Sequence, residues 1–122
     1  FVLAPAASAQ TYTFTDDYGF VWTMTVIDSV PPILYMAGTV EMGETRNAVG
    51  TYLFGTRSLV LAADAGSGVP FYYHLRWIGS SGSGGWMNIS EFGGYGQVNA
   101  YFMDGDSPPA EVKPHTILPG QL

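Results

Sequence analysis

The chain has 122 residues, enough for one domain with a single hydrophobic core. Hydrophobic residues make up 47% of it and aromatic residues 15%, which excludes a disordered chain because that much apolar surface can form a core. Charged residues make up only 11% and the net charge is −6, so there is no basic stripe for nucleic-acid phosphates. A surface this poor in charge favours self-association or binding to a protein partner.

The first nine residues, FVLAPAASA, are typical of the end of a secretory signal peptide. Ala7 and Ala9 form an A-x-A cleavage pattern, which predicts export to the periplasm, the cell surface or the medium, with cleavage before Gln10. An ordinary apolar leader strand is the other interpretation. No later apolar run is long enough for a membrane-spanning helix. The chain has no cysteine, so disulfides and Cys-ligated metals are excluded and stability depends on packing.

Short β-rich segments and turn residues follow one another along the chain, and no window has the apolar spacing of an amphipathic helix. Segment 20–27 alternates between two sets of residues. One set is mostly β-branched and predicted to point outward, and the other is predicted to point inward: Phe20, Trp22, Met24 and Val26. Eight strands are predicted, at 11–15, 20–27, 33–41, 48–54, 58–63 and 97–103, with two more in a hairpin within 71–92. The sequence therefore predicts an all-β antiparallel meander. An up-and-down barrel is favoured over a two-layer sandwich because closure removes exposed sheet edges.

The chain beyond residue 103 has a different character. Residues 104–122 contain four prolines and no alternating pattern, which predicts an extended, polyproline-like segment. The predicted organisation is an apolar leader at 1–9, a β-domain at 10–103 and a Pro-rich tail at 104–122. The tail is interpreted as a linker or as an arm that binds a neighbouring chain.

The predicted hairpin within 71–92 holds the densest chemistry, with two of the three tryptophans and one of the two histidines. Its Gly/Ser-rich centre, 80–84, is interpreted as the connecting loop. Pairing the flanking strands around that loop places Tyr73, Leu75 and Trp77 on the core face.

The other face of this hairpin is the predicted contact surface. It combines a polar centre with large apolar side chains, a composition typical of protein or ligand contact patches. A half-exposed sheet with scattered aromatic residues has the same composition, and a register slip of one residue would exchange the two faces. The predicted partner-binding residues, in facing pairs, are Tyr72 with Phe92, His74 with Ser90, Arg76 with Asn88, and Ile78 with Trp86.

Catalysis has little support in the sequence. His74 is the one plausible general base, with Ser90 opposite it, but a Ser–His pair needs an orienting carboxylate and an oxyanion hole. Glu91 is expected to point to the opposite face from Ser90, and the chain has no G-x-S-x-G motif. A hydrolase that uses His74 is therefore the remotest hypothesis.

Metal, cofactor and modification signals are also weak. The acidic pairs Asp16/Asp17 and Asp104/Asp106 could bind Ca²⁺, but aspartates more often stabilise turns through their own backbone. No cofactor and no metal site are predicted. Asn88 begins an N-x-S glycosylation motif inside a predicted strand, so we expect it to be unmodified.

The leading hypothesis is an exported, non-enzymatic β-domain that acts through protein contacts, as a structural or accessory subunit of an extracytoplasmic assembly. The alternative is a small barrel that binds an apolar or aromatic ligand in its lumen. Bulky inward side chains count against an open lumen. Those predicted to fill it are Phe20, Trp22, Met24, Phe71, Tyr73, Leu75 and Trp77.

Overall fold

A computed structural model describes residues 10–64, 70–88 and 94–103 and confirms the all-β prediction. Eight antiparallel strands, each paired with the next, close into a barrel through β1 and β8. The strands are β1 Thr11–Asp16, β2 Val21–Val30, β3 Ile33–Glu41, β4 Thr45–Leu53, β5 Ser58–Asp64, β6 Pro70–Ile78, β7 Ser81–Asn88 and β8 Gly94–Phe102. Within these ranges no helix is long and apolar enough to cross a membrane. The predicted leader at 1–9 and tail at 104–122 lie outside the described residues.

Strand β1 shows how alternation in the sequence becomes a two-sided strand. Tyr12 and Phe14 are buried in the lumen, whereas the threonines between and beside them face outward. Strand β2 continues the pattern with Trp22 and Met24, both fully buried. The inward positions predicted for 20–27 are confirmed, since Trp22 and Met24 are fully buried and Phe20 and Val26 pack against the core while only partly buried.

The hairpin register predicted around a Gly/Ser loop is wrong. The turn between β6 and β7 is Gly79–Ser80, because Ile78 pairs directly with Ser81. Gly79 has φ 62°, and a Gly-first two-residue connection is the pattern of a tight type II′ hairpin turn. The segment taken for the loop is the first half of β7.

At one glycine of β7 and one of β8, a tryptophan ring occupies the space that a side chain would fill. A Cβ atom on Gly82 would lie 2.9 Å from the indole of Trp77, its partner on β6. On β8, a Cβ atom on Gly96 would lie 2.6 Å from Nε1 of its partner Trp86. Aromatic rings that cover glycines in this way stabilise strands that have low intrinsic β propensity.

The lumen is a packed core. Large apolar side chains are buried there, including Trp22, Trp77 and Phe14, each at most 1% exposed, and Trp86 of β7 packs against them while only partly buried. Phe14 stacks on Trp22 with ring centroids 6.1 Å apart and meets Trp77 edge-on at 5.6 Å. The void beside Phe14 and Trp77 measures about 10 Å³, roughly the space of one water molecule.

A buried carboxylate closes one end of this core. Asp16 Oδ2 accepts hydrogen bonds from Trp22 Nε1 at 3.0 Å and from the Tyr73 hydroxyl at 2.7 Å. Its Oδ1 accepts the backbone N–H groups of Tyr18 at 2.9 Å and Phe20 at 3.1 Å. Burial raises the pKa of the Tyr73 hydroxyl. The hydrogen bond that this hydroxyl donates to Asp16, and the negative charge of Asp16, raise that pKa further. These four donors give Asp16 a structural role in the β1–β2 turn, which agrees with the turn interpretation of the acidic pair.

Asp17 holds the seam between β1 and β8, where only three residue pairs are in register. Its Oδ2 accepts hydrogen bonds from the backbone N–H of Asn99 at 3.0 Å and from Asn99 Nδ2 at 2.9 Å. Its own N–H donates to the Asn99 carbonyl at 3.0 Å. Both aspartates of the first pair therefore take part in barrel closure. The second pair, Asp104/Asp106, lies outside the described residues.

Candidate functional site

Strands β3, β4 and β5 carry apolar side chains on both faces. Inside the barrel, Met36 and Leu61 are buried. Outside, large apolar side chains stay open to solvent on every one of these strands. They include Tyr35 at 38% exposed, Val49 at 57%, Leu53 at 38% and Val60 at 42%. Isolated exposed apolar residues are ordinary, but a contiguous group of this kind marks an interaction site.

Three of these side chains, Tyr35, Leu53 and Val60, line a groove of about 390 Å³ on the barrel exterior, here called the outer groove. Its central row runs across four strands, since Tyr35 pairs with Thr51, Thr51 with Val60, and Val60 with His74. The outer groove is lined by Ile33, Tyr35, Thr51, Leu53, Ser58, Val60 and His74. His74 is the only one of these with a titratable side chain other than the Tyr35 phenol, so the lining is nearly free of charge.

Charged groups stand at the two flanks of the outer groove. On the β2 side, Asp28 pairs with Tyr35, because a bulge between Val26 and Asp28 shifts the register there. On the β6 side, Arg76 pairs with Ser58, next to His74 along the strand. The apolar centre therefore lies between an acidic flank and a basic flank.

The predicted contact residues divide into two groups. Tyr72, His74, Arg76 and Ile78 all face outward on β6, as the sequence indicated. Only His74 among them lines the outer groove.

Trp86 and Asn88 do not share that face, and this part of the prediction is wrong. The corrected register pairs Trp86 with the buried Tyr73 and Asn88 with the buried Phe71, so both belong to the lumen side of β7. Trp86 packs against the core and donates from Nε1 to the Tyr18 hydroxyl at 2.6 Å. Ser90 and Phe92 lie outside the described residues.

Among the described residues, the neighbours of His74 form no catalytic constellation. Its cross-strand partners are Val60 and Gly85, neither of which bears a proton-transfer group. In the part of the chain that the structure describes, no carboxylate hydrogen-bonds to its imidazole, and no cluster of three or more acidic or histidine side chains could hold a metal ion. What the site offers is apolar surface with polar edges.

No protein-family model matches the chain, and no curated protein matches it. The site is therefore interpreted from its own geometry.

The sequence prediction missed the outer side chains of β3 to β5. A signal for them was present in 58–63, Ser-Leu-Val-Leu-Ala-Ala, where apolar residues follow one another without alternation. Such runs are typical of strands that are covered on both faces. Segment 33–37 of β3, Ile-Leu-Tyr-Met-Ala, has the same character.

Proposed function

We propose that this protein is an exported, non-enzymatic β-barrel that acts through protein contacts, as a structural or accessory subunit of an extracytoplasmic assembly. The outer groove is the contact site. The observation that carries the proposal is the apolar outer surface of β3 to β5, on strands whose inner surface already forms the core.

Physical chemistry favours a covered outer groove. Leu53 and Val60 in this groove are 38% and 42% exposed, and burial of such side chains stabilises a complex by about 25 cal/mol per Å² of apolar area. Protein interfaces have an apolar centre, depleted in charge, within a polar rim. The outer groove has this arrangement, with Asp28 and Arg76 at its flanks. Export is supported by the A-x-A pattern at Ala7 and Ala9.

A second candidate function is the binding of a small apolar ligand. The lumen does not support it, because the void beside Trp77 measures about 10 Å³. The outer groove, at about 390 Å³, falls in the size range of ligand sites, about 300–1,000 Å³. Such sites bury most of the ligand, however, whereas this groove is open along four strands.

The proposal is tested by photo-crosslinking in the cells that normally produce the protein. A photoreactive amino acid replaces Val60 in the outer groove, and the matched control replaces Thr13, an outward residue of β1 away from the groove. We expect a covalent protein adduct from position 60 and little or none from position 13.

The outcomes separate the hypotheses. An adduct with any protein, including a second copy of the chain, supports the proposed function. If position 60 gives no more protein adduct than position 13, the contact hypothesis fails. Saturable binding of a hydrophobic fluorescent probe that Val60→Glu abolishes would then favour the small-ligand function instead.

A further inference from the structure

We infer that the lumen binds one structural water molecule, which bridges the Tyr52 hydroxyl and the Trp77 indole N–H. Both side chains lie near the last residue of a strand that runs antiparallel to β1, so the site is at the opposite end of the barrel from Asp16. It is separate from the outer groove and does not depend on the proposed function. Two observations carry the inference, a void in the core and a pair of buried polar groups beside it.

The void has the size of a single water molecule. It measures about 10 Å³, which is about the least space in which a protein can hold one water, and a larger ligand does not fit. A void with only apolar neighbours stays dry, whereas one beside unpaired polar groups is a typical place for buried water. The polar members of the lining therefore decide. The void is lined by Tyr12, Phe14, Met36, Tyr52, Leu59, Trp77 and Phe102.

Three of these lining side chains carry an oxygen or nitrogen atom, and two of them have no partner. The Tyr12 hydroxyl donates to Gln10 Oε1 at 2.6 Å. The Tyr52 hydroxyl and Trp77 Nε1 are buried and form no hydrogen bond with any described residue. Tyr52 is 2% exposed and Trp77 is 1% exposed, so bulk solvent does not satisfy either group. Buried polar groups are nearly always paired with protein or with ordered water.

The opposite end of the lumen shows how the same two kinds of polar group are satisfied. There, Trp22 Nε1 and the Tyr73 hydroxyl both donate to Asp16 Oδ2, at 3.0 and 2.7 Å. At the Tyr52 end, no described side chain accepts from the corresponding tyrosine and tryptophan. A water oxygen there would have the position that the carboxylate oxygen has at the Asp16 end.

Water also matches the chemistry of the two groups. The indole N–H of Trp77 only donates, and a water oxygen accepts from it. The Tyr52 hydroxyl either donates or accepts, so it can pair with the same water. Burial raises the pKa of Tyr52 more than the nearby charge of Arg57 lowers it, so this hydroxyl keeps its proton at neutral pH. Two unpaired buried groups cost more free energy than the immobilisation of one water.

A crystal structure at a resolution that shows ordered water tests the site directly. We expect one density peak within about 3.2 Å of both Tyr52 Oη and Trp77 Nε1. Three results would overturn the inference. They are a void without density, a direct hydrogen bond between Trp77 and Tyr52, and a hydrogen bond from the Arg57 guanidinium to the Tyr52 hydroxyl.

The same site is tested in solution by water-deuteron magnetic relaxation dispersion, whose amplitude counts long-lived internal waters. Tyr52→Phe removes one partner of the water and keeps the ring, so we expect the amplitude to fall by the contribution of one water. Tyr72→Phe removes a hydroxyl from the outer face of β6 and is the matched control, with no change expected. The tryptophan indole resonances verify that each variant is folded. Equal amplitudes for the wild type and Tyr52→Phe would overturn the bridge.

Discussion

Strands β1 and β5 both bury apolar side chains in the lumen, but they differ in the side chains that face outward. On β1, Phe14 faces the lumen at 1% exposed, and on β5, Leu61 does so at 0%. The outward side of β1 is a row of threonines, whereas that of β5 presents Val60 and Ala62. Barrel closure requires only the inner apolar set. The outer apolar set on β5 is therefore not needed for closure, and this difference supports the proposed protein contact on the β3–β5 side.

The largest expected difference in stability is between substitutions on the inner and outer faces of β5. Leu61→Ala should lower the free energy of unfolding by about 2–5 kcal/mol, since Leu61 is fully buried among lumen side chains. Val60→Ala, one residue away on the outer face, should change it by about 0.5 kcal/mol or less in dilute, dissociated protein. Urea denaturation followed by tryptophan fluorescence measures both. Equal losses from the two variants would show that the outer side chain belongs to the folding core.

A second prediction concerns Asp16, the buried last residue of β1. Asp16→Asn replaces an acceptor with a donor group opposite Trp22 Nε1 and the Tyr73 hydroxyl, leaving at least one buried donor unpaired. We expect a loss of about 1–3 kcal/mol per unpaired group, and a total near 3 kcal/mol. Thr13→Ala, on the outer face of the same strand, is the control and should stay within about 0.5 kcal/mol. An unchanged urea midpoint for Asp16→Asn would contradict the structural role given to this carboxylate.

The smallest expected effect is a dependence of the free energy of unfolding on pH, which comes from Tyr73 in the lumen. The pKa of Tyr73 is raised in the folded barrel, so above about pH 10 the unfolded chain loses this proton first and unfolding becomes easier. Below that pH the residue is protonated in both states and makes no difference. Stability should fall by up to about 1.4 kcal/mol per pH unit above pH 10.

The contribution of Tyr73 to this slope is isolated by substitution. Tyr73→Phe should give a shallower alkaline slope than the wild type, and Tyr72→Phe, which removes a hydroxyl from the outer face, is the matched control. Unfolding midpoints at a series of alkaline pH values measure the slope. Identical slopes for wild type and Tyr73→Phe would rule out Tyr73 as the group that titrates on unfolding.

Alternation was sufficient to predict most of the strands and much of the core. Phe14, Trp22, Met24, Tyr73 and Trp77 are all buried where the period of two places them. The closed meander also follows from the number of strands and from the advantage of having no free edge. These features depend on local sequence, which is why a single chain contains enough information for them.

The contact site was harder to predict because it depends on register. Composition alone assigns Gly82 and Gly84 to a loop, but the cover that Trp77 provides for Gly82 appears only in three dimensions. That single error moved Trp86 and Asn88 to the wrong face. The outer groove in turn joins Tyr35 and His74, which are brought together by two intervening strands and not by any sequence motif.

The narrow seam between β1 and β8 has a consequence for how the barrel assembles. Every other strand pair joins neighbours along the chain, but this pair joins Phe14 to Phe102, so its loop-closure entropy is the largest. We therefore expect β1 and β8 to pair last during folding and to separate first under destabilising conditions, in spite of the hydrogen bonds between Asp17 and Asn99. Separation of β1 from β8 would expose two unpaired strand edges at once. Strand exchange between molecules would therefore begin at this seam.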